Sequence, residues 1–92
     1  MVDYCENVLK AIRSAPTEKT LDGLVRDSIT GFMRIRNGQL GSNYIMNMIG
    51  FLHSAADDAT ADELKNISHA IELFKWHQLR DPDKLLHHNK MI

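Results

Sequence analysis

One cysteine, Cys5, is present in 92 residues. No intramolecular disulfide can form, no cysteine pair can seed a structural zinc site, and a lone thiol fits a reducing compartment. Glycine is sparse and scattered, at 23, 31, 38, 41 and 50, without the spacing that cradles a phosphate. An excess of one charge is missing as well, because eleven Lys and Arg against twelve Asp and Glu leave a net charge of −1. Nucleic-acid binders usually carry a basic excess or stripe, whereas the cluster Asp57, Asp58, Asp62, Glu63 repels phosphate locally. The sequence also lacks a run of about 20 predominantly apolar residues, the length a membrane-spanning helix needs. Its opening, Met-Val-Asp-Tyr-Cys-Glu, has neither the basic start nor the apolar run of a signal peptide. The expectation is one cytoplasmic domain over residues 1–92. Its margin of stability is thin, since a chain this short buries only about 60–65% of its unfolded surface.

A further absence is local. From Gln39 to Ala56 eighteen residues pass without Asp, Glu, Lys or Arg, although 25% of the chain is charged. A surface helix carries charges on its outer face, so an uncharged one is expected to be covered by its own protein or by a partner subunit.

What is present is helical periodicity, and alternation of the strand type is not. The spacing predicts an all-α, compact bundle of four helices at about 2–14, 19–36, 42–57 and 60–80, assembled as a dimer or tetramer, with 83–92 as a short C-terminal tail. Cys5, Val8, Leu9 and Ile12 form the first stripe, which Ala15-Pro16 ends because the residue before proline is pushed out of helical geometry. Leu21, Leu24, Val25, Ser28, Ile29, Phe32 and Met33 form the second, with Asn37-Gly38 as its stop. Ser42 is placed to cap the third helix, whose inner face centres on Ile45, Met48, Ile49, Leu52 and Ala56. Its outer stripe is Asn43, Asn47, Gly50 and Ser54, all small or neutral. Thr60-Ala61-Asp62-Glu63 is a capping box opening the fourth helix, with Leu64, Ile67, Ala70, Ile71 and Phe74 inward and Asp81-Pro82-Asp83 as its break.

Chemistry finds little support. The five histidines show no His-x3-His or Glu-x-x-His spacing, and the adjacent His87 and His88 diverge by about 100° on a helix, so no metal site is read. Cys5 falls on an apolar stripe, where a thiol behaves as a small inert group, and no nucleophile stands beside a base. Neither a catalytic residue nor a cofactor is expected, and the protein is read as not an enzyme. Three surfaces remain as candidates. Tyr44, Asn47, Met48, Gly50 and Phe51 are assigned to an oligomer interface, from the uncharged helix and its small stripe. Arg26, Arg34 and Arg36 on the second helix are possible nucleic-acid contacts. His69, Leu73, Trp76 and Arg80 share the outer arc of the fourth helix and are assigned to a partner protein, since Trp and Arg are enriched among interface hot spots. The competing reading folds Trp76 onto the first helix or beneath Leu85 and Leu86.

From Leu24 to Asp57 the order Leu24-Val25, Ile29-Thr30, Phe32-Met33, Ile45, Met48-Ile49, Leu52, Asp57, with a later Ile71-Glu72, resembles the small two-component connector proteins of enteric bacteria, the biofilm and acid-resistance regulators. His53 departs from that pattern, which has a glutamate there. The resemblance implies an all-helical dimer that regulates by binding a transcription regulator. The functional expectation is a regulator acting by stoichiometric binding to another protein, as a connector or a phage-style antirepressor or inhibitor does. The alternative is a small DNA-binding or nucleoid-associated protein using the arginines of the second helix.

Overall fold

The computed structural model describes residues 2–35 and 41–80, and these form four α-helices and no strand: α1 (Val2–Arg13), α2 (Glu18–Ile35), α3 (Gly41–Ala56) and α4 (Ala61–Arg80). Asn37-Gly38, Arg36, the Asp81-Pro82-Asp83 break and the 83–92 tail lie outside the described residues.

Local chemistry sets the helix starts. Thr17 caps α2, its hydroxyl accepting from the Thr20 amide at 3.1 Å while its carbonyl takes the Leu21 amide at 3.1 Å. At α4 both halves of the capping box form: the Glu63 amide donates to the Thr60 hydroxyl at 3.2 Å and the Thr60 amide to the Glu63 carboxylate at 3.0 Å. Ser42, the expected cap of α3, follows Gly41 at the start of the described helix. The end of α1 is closed from a distance. Asn66 of α4 points its amide nitrogen at the carbonyls of Ile12 (3.1 Å), Ala15 (3.0 Å) and, more weakly, Arg13 (3.4 Å), satisfying groups that a helix C-terminus leaves open.

Each helix touches the other three. Tyr4 reaches Ser28 late in α2, and Asn66 early in α4 reaches the end of α1, so α1 runs antiparallel to both. One core collects Cys5 and Ile12 from α1, Leu21, Val25, Ile29 and Phe32 from α2, Tyr44, Ile45, Met48, Leu52 and Ala55 from α3, and Ile67, Ala70, Ile71 and Phe74 from α4. At one end four rings, one per helix, meet on Tyr44. It stacks on Phe32 at 4.8 Å between centroids and takes the edges of Tyr4 at 5.4 Å and Phe74 at 6.0 Å. The Tyr4 hydroxyl donates to the Ser28 carbonyl at 2.6 Å, a reach made possible by Gly31, where a Cβ would stand 2.9 Å from that oxygen.

Two helix phases differ from the sequence expectation. On α3 the buried arc of Tyr44, Ile45, Met48, Leu52 and Ala55 is turned toward Tyr44 by roughly 40° at 100° per residue, leaving Ile49 and Ala56 half-buried. The aromatic cluster supplies the reason, because Tyr44 satisfies three rings only by facing fully inward. Tyr44 and Met48 are therefore withdrawn from the oligomer interface: both are 0% exposed in the single chain and present nothing to a second one. On α4 the buried arc lies between Ala70 and Ile71, which moves Leu64 to the margin at 41% exposure; Leu24 of α2 is likewise only half-buried.

Among the described residues the buried Tyr44 hydroxyl has no hydrogen-bond partner. Burial pushes its pKa well above the ordinary phenol range, and the neighbouring Ser28 hydroxyl spends its proton on the Val25 carbonyl at 2.8 Å. An unsatisfied buried hydroxyl costs roughly 1–3 kcal/mol. Tyr44→Phe keeps the ring and removes that cost, so urea unfolding should show equal or higher stability. Tyr44→Ala should lose about 3–5 kcal/mol, and a Phe variant as damaged as the Ala variant would refute this account.

Candidate functional site

α2 and α4 lie side by side in the same sense, and a groove of about 780 Å³ opens between them, bounded by Asp22 and Arg26 on α2 and by Glu72, Leu73, Lys75, Trp76, His77 and Leu79 on α4. Helical spacing builds it. Leu73, Trp76, His77 and Arg80 recur at i, i+3, i+4 and i+7, so they share one side of α4 adjacent to its buried arc. Leu73 is half-buried and rests against the core. Trp76 is 51% exposed, with the Arg80 guanidinium 4.7 Å from its ring centroid and the His77 ring edge-on at 4.9 Å. A guanidinium over an indole face is attracted by the ring quadrupole, which holds both side chains in place while both stay accessible. Leu79 projects beside them at 87% exposure.

Of His69, Leu73, Trp76 and Arg80, Leu73 and Trp76 line the groove and Arg80 lies over the Trp76 ring. His69 turns toward α2, its Nε2 3.1 Å from the Asp22 carboxylate, and closes one end of the groove. Periodicity does not disclose the α2 half of the lining, Asp22 and Arg26, because it reports which residues share a helix face and not which helix lies opposite. His77 and Leu79 also escape the sequence assignment. The usable signal for Leu79 is its position on the polar arc, where a leucine has no core to reach.

Electrostatics around the groove is uneven. Asp22 is taken by His69, and Arg26 makes only an exposed contact with Asp27 at 3.6 Å. Among the described residues Lys75 and Arg80 have no carboxylate within ion-pair distance. The His77 pKa is lowered from its ordinary value, first by burial and then by the positive charges of Arg80 and Arg26.

Elsewhere, Arg34 is exposed near the end of α2, two turns from Arg26, and does not line the groove, and Arg36 is outside the described residues. On α3, Asn43, Asn47, Gly50 and Ser54 all face outward beside Met46, which is 61% exposed, and half-buried Phe51. Met46, Asn47, Gly50, Phe51 and Ser54 border a shallow hollow of about 400 Å³. The Asn47 amide folds back onto the Asn43 carbonyl at 2.8 Å and keeps this face flat. Cys5 is fully buried and burial raises its thiol pKa, as an inert core position requires. No helix among the described residues is long and apolar enough to cross a membrane. Comparison with protein-family models, with curated proteins and with solved structures gives no match to this chain.

A lowered His77 pKa has a defined consequence for stability. The unfolded chain takes up a proton near the ordinary histidine value while the folded chain resists it, so the unfolded state binds more protons there. Stability from this residue is complete above about pH 6.5 and falls as the pH drops from there toward the folded pKa. Proton NMR should place the His77 midpoint below that of free histidine, and His77→Gln should remove this part of the acid sensitivity in urea unfolding. A His77 midpoint at or above the free value would contradict the assignment.

Proposed function

We propose that this chain is a small, non-enzymatic regulatory protein that acts by stoichiometric binding to another protein, and that the groove between α2 and α4 is its docking site. The observation that carries the reading is Trp76. A tryptophan half open to solvent, clamped by Arg80 and set between Leu73 and the exposed Leu79, gives a folded monomer little and an interface a great deal. The resemblance of residues 24–57 to the connector family supports a transcription regulator or repressor as the class of partner, as for a connector or a phage-style antirepressor. Binding to DNA through Arg26 and Arg34 is the competing reading, and it is weakened by the acidic residues Asp22 and Asp27 beside Arg26.

Trp76→Ala is the direct test. Because the ring lies outside the core, the variant should melt within a few degrees of the parent, yet capture of the partner from host lysate should fall at least tenfold. A variant that still captures the partner would remove Trp76 from the site. Retention on DNA, with affinity dropping steeply as salt is added, would favour the competing reading.

The outward face of α3 supports self-association as a second component of the proposal. Its sixteen residues carry no Asp, Glu, Lys or Arg, and around Gly50 a Cβ would meet nothing within 4 Å. Inside one chain, then, Gly50→Ala has no steric cost and gains helix propensity, about 0.5–1 kcal/mol. At a helix–helix contact between copies the same methyl holds the backbones apart. Gly50→Ala should raise the stability of the dilute monomer while weakening association in sedimentation equilibrium, and Gly50→Glu should abolish association. A parent protein that stays monomeric at every concentration tested would overturn this component.

A further inference from the structure

The side chains around the α2–α4 groove also specify what kind of segment fits it, an inference that rests on the docking reading above. We propose that the groove takes a short amphipathic helix of the partner protein with an acidic flank, its apolar side chains against Leu73, Trp76 and Leu79 and its carboxylates directed at Arg26, Lys75 and Arg80.

Three observations lead there. The first is backbone chemistry. Both walls are helices whose interior amides and carbonyls are already paired, so the groove offers no edge to an extended strand, which would bring unsatisfied backbone groups with it. A helix satisfies its own backbone and presents only side chains. The second is length. The α4 wall from Glu72 to Leu79 rises about 10 Å, two helical turns, which matches an anchor pair spaced i, i+3 or i, i+4. The third is charge. Of the carboxylates at the groove, Asp22 is engaged by His69 and the exposed Asp27 lies 3.6 Å from Arg26, which leaves Glu72 against Lys75 and the neighbouring Arg80, neither of which has a carboxylate within ion-pair distance among the described residues. Arg80 and Arg26 act on His77 from the two walls, so positive potential spans the groove at that level. A basic ligand is the poorer fit because of these cations.

The test uses the whole chain and its own fluorophore, since Trp76 is the sole tryptophan. Three tryptophan-free probes are titrated: a leucine–glutamate amphipathic helix, a leucine–lysine helix with the same apolar face, and single-stranded DNA. The Leu–Glu peptide should shift Trp76 emission to the blue, protect it from acrylamide, bind at least tenfold more tightly than the Leu–Lys peptide, and weaken as salt is added. Arg26→Glu should reverse that preference while leaving the melting curve in place. His77 supplies a readout with a sign: burial by any ligand lowers its pKa further, whereas a carboxylate near Arg26 and Arg80 raises it, and the upward shift is expected. Equal binding of the two peptides, preference for the lysine peptide, or a downward His77 shift on binding would overturn the acidic chemistry and leave the docking site standing. No response to any probe, while Trp76→Ala still abolishes partner capture, overturns the acidic chemistry in the same way. If no probe responds and Trp76→Ala captures the partner normally, the docking reading falls too. Tight DNA binding at Trp76 would replace the protein ligand with nucleic acid.

Discussion

Everything in this fold depends on how the Tyr44 ring is held. Among the described residues it is the one side chain that meets an aromatic ring from each of the other three helices, and that contact fixes the rotation of α3 about its axis. Once Tyr44 faces inward, Met48 and Leu52 follow it into the core, Ile49 and Ala56 move to the boundary, and Asn43, Gly50 and Ser54 are turned to solvent. The stacked and edge-on geometries are each worth about 0.5–1.5 kcal/mol beyond the burial of area. In a chain with few residues to spare, that is a substantial share of the total stability. The unpartnered hydroxyl is the cost of using a tyrosine in this place.

The same arrangement leaves the molecule two separate exposed surfaces. Rotation of α3 exposes an uncharged helix face, while the register of α4, constrained by Asn66 at the end of α1, brings Trp76 and Leu79 out beside α2. The two faces belong to different helices and share no side chain. The proposed self-contact and the proposed partner contact therefore fall on separate faces.

Much of the architecture is written in short-range signals. Within the described residues apolar spacing marks each helix to within a residue or two, and the capping box at Thr60 and Glu63 forms as its letters indicate, because both depend on residues three or four apart. Rotation about the helix axis is harder to read. By hydropathy Tyr44 belongs on a flank, since an average scale discounts its hydroxyl and knows nothing of the three rings waiting for it. Leu64 reads as core because it is leucine, yet the α4 arc is set by Ala70 and by the reach of Asn66, neither of which is conspicuous in the sequence. The candidate site is half legible for the same reason. The α4 residues can be gathered by period, but Asp22, Arg26 and the groove they complete exist only once α2 is laid alongside.

The approach of Tyr4 to Gly31 has one more consequence. α1 is fastened by side-chain-to-backbone hydrogen bonds at its two ends, the Tyr4 hydroxyl on the Ser28 carbonyl and the Asn66 amide on its last turn, with Cys5 sealed beneath it. The thiol can meet a solvent-borne reagent only while that helix is lifted away. Its alkylation rate is therefore a clock for local opening, running independently of global unfolding, and it would quicken with any side chain at position 31 that displaces the tyrosine.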